Sequence, residues 1–417
     1  MGSNNSQRKI DPEARGVIVL AAVAALVAAG IGGGGIYTEL SKRAGEQERA
    51  AAPTASPATA CDLLDRSELV PTSGALFGVN LDWHKKDLAA YATDLGHKPA
   101  VTVSFTGFPY TDQEKTDLQR AVEQIRTSGQ IMLLTLEPDD GLASVTPQSA
   151  SDLATDLSKF NADGVPVIVR FAHEMNGSWY PWSQQPELYI KSFRTIAEAV
   201  HTGAPGSATM WAPNYGGGYP FAGGQYEAKP GSPEFTLLDT DADGTLTMND
   251  DPYAPYYPGD DAVDWVGMSL YHWGSKYPWG DNELAEQGKF AGQLTGSYVG
   301  ANGNDSALPD FYQTYGETHK KPVAIPETAA LFAPGAGGES ELAIKQSWWS
   351  QLFAPATAAR FPRLKMINWF EWDKNEAEVK GRVDWTVTNT PAVREAFTSA
   401  VPDWLHYGPS QPCEPGN

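Results

Sequence analysis

Eight times between residues 75 and 370, a short apolar run ends in polar or aromatic residues and gives way to a longer stretch. The runs occupy 75–80, 100–105, 131–136, 166–171, 208–212, 263–270, 322–325 and 365–370. Runs without polar alternation belong to strands covered on both faces, as in a parallel sheet. Helical spacing recurs between them, over 112–127, 150–161, 186–202 and 339–353, so the chain reads as repeated βα units. Eight such units in one chain predict an α/β fold of the (β/α)₈ barrel type. A doubly wound open sheet fits less well, because no G-x-G-x-x-G turn follows any of the runs.

A barrel of this kind carries its chemistry where the strands end. Asn80, Asp82 and Trp83 follow the first run, Glu137 the third, and His173 and Glu174 the fourth. Asn214 follows the fifth, Tyr271 and His272 the sixth, Glu327 the seventh, and Trp369 and Glu371 stand at the eighth. Glu174 and Glu327 therefore face each other across the expected mouth. Paired carboxylates are the equipment of a retaining glycosidase, one as acid/base and one as nucleophile. Strand-end glutamates that cap helices or pair with lysines are the structural alternative.

The stretch RFAHEMNGSWYPW, residues 170–182, resembles the acid/base segment of glycoside hydrolase family 26, the β-mannanase family of clan A. KPVAIPET, residues 321–328, is similar to its nucleophile segment, and MWAPN (210–214) and VDWVG (263–267) are similar to its fifth and sixth strands. The resemblance spans roughly 75–375. It implies a retaining endo-β-glycosidase acting on a mannan-type polysaccharide, with Glu174 as general acid/base and Glu327 as nucleophile. It also implies that His173 neighbours the nucleophile and that Tyr271 orients it. Arg170 is expected to pair with a buried carboxylate, on the reading that 170, 172 and 174 share one face. The sequence departs from the family at Ala329 and Ser183, where glycine is frequent; both lie where sugar subsites are shaped. β-Glucan, xylan or an exported cell-surface polysaccharide are alternative substrates. Transglycosylation and a non-catalytic glycan-binding barrel are the alternative activities.

Flat rings at strand ends stack on sugar faces, although aromatics are also common core residues. Trp179, Trp182, Tyr271 and Trp369 are expected to line subsites together with His173 and Asn214, and the remaining aromatics to pack. The long connection 215–262 contains DTDADGTLTMND at 239–250. Asp239, Asp241, Asp243, a carbonyl from Thr245, and Asp250 follow the spacing of a calcium loop, with Asp251 as a substitute final ligand. Aspartate in place of the usual final glutamate leaves a plain acidic turn as the alternative. The cation expected is a structural Ca²⁺, and catalysis needs no cofactor.

Residues 17–31, VIVLAAVAALVAAGI, follow Arg8, Lys9 and Arg15 and read as a signal peptide or a signal anchor. The expected organisation is this segment over 1–37, a linker rich in Ala, Pro, Ser and Thr over 38–60, and the catalytic domain over 61–417. The enzyme is then secreted or held to the membrane by that one segment, and works outside the cytoplasm. Cys61 and Cys413 flank the domain and suggest a disulfide that ties its ends, or two unrelated thiols. A net charge of -21 argues against nucleic acid and anionic membrane as partners, since both are bound by clustered Lys and Arg. The expected partner is the polysaccharide alone, and the expected state a monomer.

Overall fold

The computed structural model describes residues 64–408 except position 302. Eight parallel strands close into a barrel: β1 (Ala75–Leu81), β2 (Val101–Gly107), β3 (Ile131–Glu137), β4 (Val167–Phe171), β5 (Ser207–Trp211), β6 (Trp265–Gly267), β7 (Val323–Thr328) and β8 (Leu364–Glu371). Neighbours pair in chain order. β8 returns to β1, with Leu76 opposite Met366 and Leu81 opposite Glu371. The (β/α)₈ reading therefore holds for the described residues.

Helices follow the strands: α1 (Leu88–Leu95), α2 (Asp112–Ser128), α3 (Pro147–Ala162), α4 (Pro186–Gly203), α5 (Pro233–Leu238), α6 (Lys289–Leu294), α7 (Glu341–Leu352), α8 (Pro355–Arg360) and α9 (Pro391–Ala400). Their starts are written locally. Thr111 and Glu114 cap each other's backbone amides ahead of α2, and Thr146 caps α3 with Pro147 in its first turn.

Strand alternation sorts the apolar side chains into two layers. Leu76, Val101, Val103, Leu133, Ile168, Met210, Trp265 and Met366 fill the barrel, while Phe77, Val79, Leu134, Val169, Ile367 and Trp369 face the helices. A Cβ on Gly78 would lie 1.9 Å from Asn368 Oδ1, so the inward position there tolerates no side chain. At the other end, the single turn Arg66–Leu69 places Leu69 against the interior layer and closes the barrel floor.

The sixth run is less regular than its apolar character predicts. Beyond Gly267 it stays bonded to β7, with Met268 N–H donating to Ala324 O and Leu270 N–H to Glu327 O. Three residues of β7 are thus spanned by two of the sixth run, and the ladder slips. A hairpin that the sequence did not announce, β9 (Asp373–Glu376) and β10 (Gly381–Asp384), rises beside the mouth directly after β8.

Two expectations are corrected. Among the described residues, no helix is long and apolar enough to cross a membrane. The 17–31 segment expected to act as signal or anchor lies outside the described residues. Cys61 and Cys413 also lie outside them, and the described residues hold no cysteine. Among the described residues, then, no disulfide ties the ends of the domain.

Candidate active site

Glu327 is the penultimate residue of β7 and only 6% exposed. Its two oxygens have separate donors. Arg170, from the inner face of β4 and fully buried, donates through Nη1 to Oε1, and Tyr271 Oη donates to Oε2 at 2.6 Å. A buried carboxylate with a guanidinium and a phenol on its two oxygens is held both in charge and in orientation. Burial and the adjacent Glu327 raise the Tyr271 phenol well above its ordinary range, so it remains a donor.

Glu174 stands beyond the end of β4 on strained backbone. Ala172 and Glu174 both take left-handed conformations, with φ of 46° and 54°. Non-glycine residues pay about 1–2 kcal/mol for such a conformation, and two within three residues turn the chain sharply over the mouth. Glu174 N–H donates to Ala212 O, which fixes the turn to the end of β5. The expectation that 170, 172 and 174 share a strand face fails here, because β4 ends at Phe171. Arg170 nevertheless finds its carboxylate.

The Glu174 carboxyl accepts from Trp179 Nε1 at 3.2 Å and bonds to Ser269, whose hydroxyl also accepts from Arg170 Nη2 at 2.9 Å. Arg170 and Ser269 therefore join the two glutamates. Burial, then the charge of Glu327, push the Glu174 carboxyl up to about 7, against the opposing influence of Arg170 and of its two hydrogen bonds. At neutral pH a proton is available beside an ion-paired carboxylate.

Of the residues expected to meet sugar, Trp179 and Tyr271 touch the glutamates directly. Asn214 lies at the rim, its backbone clamped by the Asn176 side chain, which donates to its carbonyl at 2.8 Å and accepts from its amide. Three others lie elsewhere. Trp182 is 1% exposed, stacks on Tyr180 with ring centroids 4.4 Å apart, and donates to His173 O, so it braces the loop from within. His173 is wrapped by Phe105, Tyr180 and Trp182, and its Nδ1 has no partner. Burial and Arg170 hold the imidazole well below its ordinary pKa, hence neutral, while Arg170 and Tyr271 occupy the nucleophile position expected for it.

Trp369 points outward against Trp349 and Phe397, because Met366 and Asn368 take the inner face of β8. The mouth receives Phe370 instead, 5.7 Å from Tyr271 and stacked on Trp372, with Trp385 5.4 Å from Tyr271. Trp372 is expected from sequence only to pack, and Phe370, Trp385 and Ser269 were not singled out by sequence. Counting parity from Gly78, which needs an inward partner, would have found Phe370.

In the β5–β6 connection, Asp239, Asp241 and Asp243 bring carboxylate oxygens within 4.8 Å of one another, a group that could hold a metal ion. Asp250 is fully buried and turned to the loop itself, accepting from the amides of Thr240 (2.7 Å), Asp241 (3.4 Å) and Thr247 (2.8 Å). Thr245 bonds to Asp243 through both its amide and its hydroxyl. The expected five-residue set is thus represented by three grouped carboxylates and one internal brace.

Residues 126–211 match the model of Glycosyl hydrolase family 26. Endoglucanase H of Acetivibrio thermocellus is 21% identical over 289 residues, 67% of this chain and 25% of its own length. The chain spans about a quarter of the length of that curated relative. Among solved structures, a modular endo-beta-1,4-mannanase from Cellulomonas fimi is similar with a TM-score of 0.53 at 17% identity, over 82% of this chain and 74% of that one. GH26C from Muricauda sp. is similar with a TM-score of 0.52 at 15% identity, over 83% and 90%. At such identities these structures speak for the shared barrel. The matched segment contains β3, β4 and the loop that presents Glu174, so the likeness to glycosyl hydrolase family 26 falls on the part of the barrel that carries that carboxyl.

Proposed function

We propose that the protein is a retaining endo-β-glycosidase that cleaves a β-linked polysaccharide, of mannan type first. The observation that carries this reading is the pairing of a proton-bearing Glu174 with a Glu327 held by Arg170 and Tyr271 at the mouth of the barrel. Glu174 gives its proton to the leaving glycosidic oxygen as Glu327 attacks the anomeric carbon, so the C1–O bond breaks and an ester to Glu327 forms. The ester carries no charge. The proton affinity of Glu174 then drops, and it takes a proton from the water that attacks C1, restoring Glu327 as a carboxylate. Trp179, bonded to Glu174, offers a ring beside the bond that breaks.

This activity is assigned to the domain expected over 61–417, behind the 38–60 linker, acting outside the cytoplasm where such polymers occur. The relatives are named an endoglucanase and an endo-beta-1,4-mannanase, which makes β-glucan and β-mannan the two polymers to try first. The ion that the grouped carboxylates of Asp239, Asp241 and Asp243 fit is calcium, a hard cation that takes carboxylate oxygens. Its role is to brace the long connection. Replacement of Glu327 by Ala tests the central reading: hydrolysis should vanish, and azide should restore turnover with a glycosyl azide of inverted anomeric configuration. Undiminished hydrolysis by that variant would refute it.

A further inference from the structure

A third carboxyl opens on the same mouth. Glu137 is the last residue of β3, opposite Gly107 on β2, and shares with Ile131 and Leu133 the parity of the inner face. It is set close enough to feel Asp139, Glu327, Arg170 and Glu174. Its backbone carbonyl accepts from Phe108 N–H and Asp139 N–H, but among the described residues its carboxyl makes no hydrogen bond. Burial, then Asp139 and Glu327, push that carboxyl up to about 8, so at neutral pH it holds both an unused O–H donor and an unused carbonyl acceptor. Glu137 is half-buried, so a ligand that displaces the remaining water from its carboxyl must itself supply the hydrogen-bond partner.

We infer that Glu137 contacts the substrate: its carboxyl hydrogen-bonds a ring hydroxyl of the sugar unit being cleaved and so selects among β-linked polymers. The inference rests on the proposed glycosidase reading. Sugars of the two candidate polymers differ in the direction of a hydroxyl. A site that must donate to and accept from a hydroxyl discriminates strongly, because the wrong sugar leaves the buried group unpaired. Glu137 needs no part in proton transfer for this.

The test compares Glu137→Ala and Glu137→Gln with the wild type on matched manno- and gluco-oligosaccharides. Glu137→Ala should lower kcat/KM on the preferred series by about tenfold or more, on the scale of a lost buried hydrogen bond, and narrow the preference between the two series. Glu137→Gln keeps one donor and one acceptor at the same reach and should restore most of both. In a Glu174→Gln background, oligosaccharide affinity followed by calorimetry should weaken above the Glu137 pKa, and Glu137→Gln should abolish that pH dependence. An Ala variant with unchanged kcat/KM and unchanged preference would overturn the inference, as would a Gln variant as impaired as the Ala one. Absence of turnover by the wild type on both series would overturn the glycosidase reading itself; normal wild-type turnover beside an unaltered Ala variant would overturn only the role of Glu137.

Discussion

Two sets of carboxylates occupy this molecule, and they are built in opposite ways. In the barrel mouth, Glu327 is buried and Glu174 half-buried, and side chains from two strand ends, Arg170 of β4 and Ser269 and Tyr271 of the sixth run, hold them. In the β5–β6 connection, Asp241 and Asp243 are exposed and meet only donors of their own turn, chiefly the amides of Asp243 and Thr245. The first set is organised by the whole barrel and works by proton affinity. The second is local, and its charges await a cation.

Replacing Glu327 by Ala attacks the first set hardest and should cost about 10⁴-fold or more in kcat, the order seen when a nucleophile is deleted. Arg170→Ala leaves a buried carboxylate without its cation, which costs about 3–5 kcal/mol for such pairs. A thermal melt should show the loss, and kcat should fall with it. If that variant melts like the wild type, the mouth is not the electrostatic unit described. Asp250→Ala is the matching change in the second region. It strips three backbone amides of their acceptor and should destabilise by about 1–3 kcal/mol, read as a lowered denaturant midpoint.

The pH profile sharpens the contrast. Glu174 is raised, so its proton is fully present well below pH 7 and is lost as pH rises through about 7. Activity should therefore fall tenfold per pH unit on the alkaline side, with the midpoint in kcat/KM near 7. The same shift makes the folded state relatively less stable as pH rises from the ordinary glutamate range through about 7, since ionised Glu174 must stay buried. Glu327→Gln, which removes the neighbouring charge, should move the midpoint of any residual activity downward. The smallest expected effect belongs to the exposed aspartates: calcium should raise the melting temperature modestly, and Asp241→Asn should remove that rise without touching catalysis. Identical melts with calcium and with chelator would leave the cluster as a plain acidic turn.

The barrel was legible because its signal is repeated. Eight apolar runs without polar alternation leave little choice of architecture, and capping pairs such as Thr111 with Glu114 mark the helix starts. The carboxylates were legible as strand-end residues, and Arg170 as the cation of the mouth. Direction was harder to read. Trp369 and Phe370 are adjacent aromatics, and which one enters the mouth depends on a register set by β1, not on either residue. The turn at Ala172 and Glu174 uses backbone conformations that non-glycine residues rarely adopt, so no local propensity announces it. Trp182 and His173 carry the composition of a sugar site yet fold back on one another, because the loop needed a core of its own. The β9–β10 hairpin is short and polar at its tip, and strand patterns of that kind do not stand out from a loop.

Arg170 bears on all three carboxyls of the mouth, Glu137, Glu174 and Glu327. Taken as a closed compartment, that mouth is electrically neutral with a single carboxylate ionised and the other two protonated. Each turnover keeps this neutrality, since Glu174 becomes a carboxylate as it gives its proton to the leaving oxygen while the sugar ester removes the charge of Glu327. The guanidinium thus sets how many protons the site keeps, and the reaction advances by changing which carboxyl is without one.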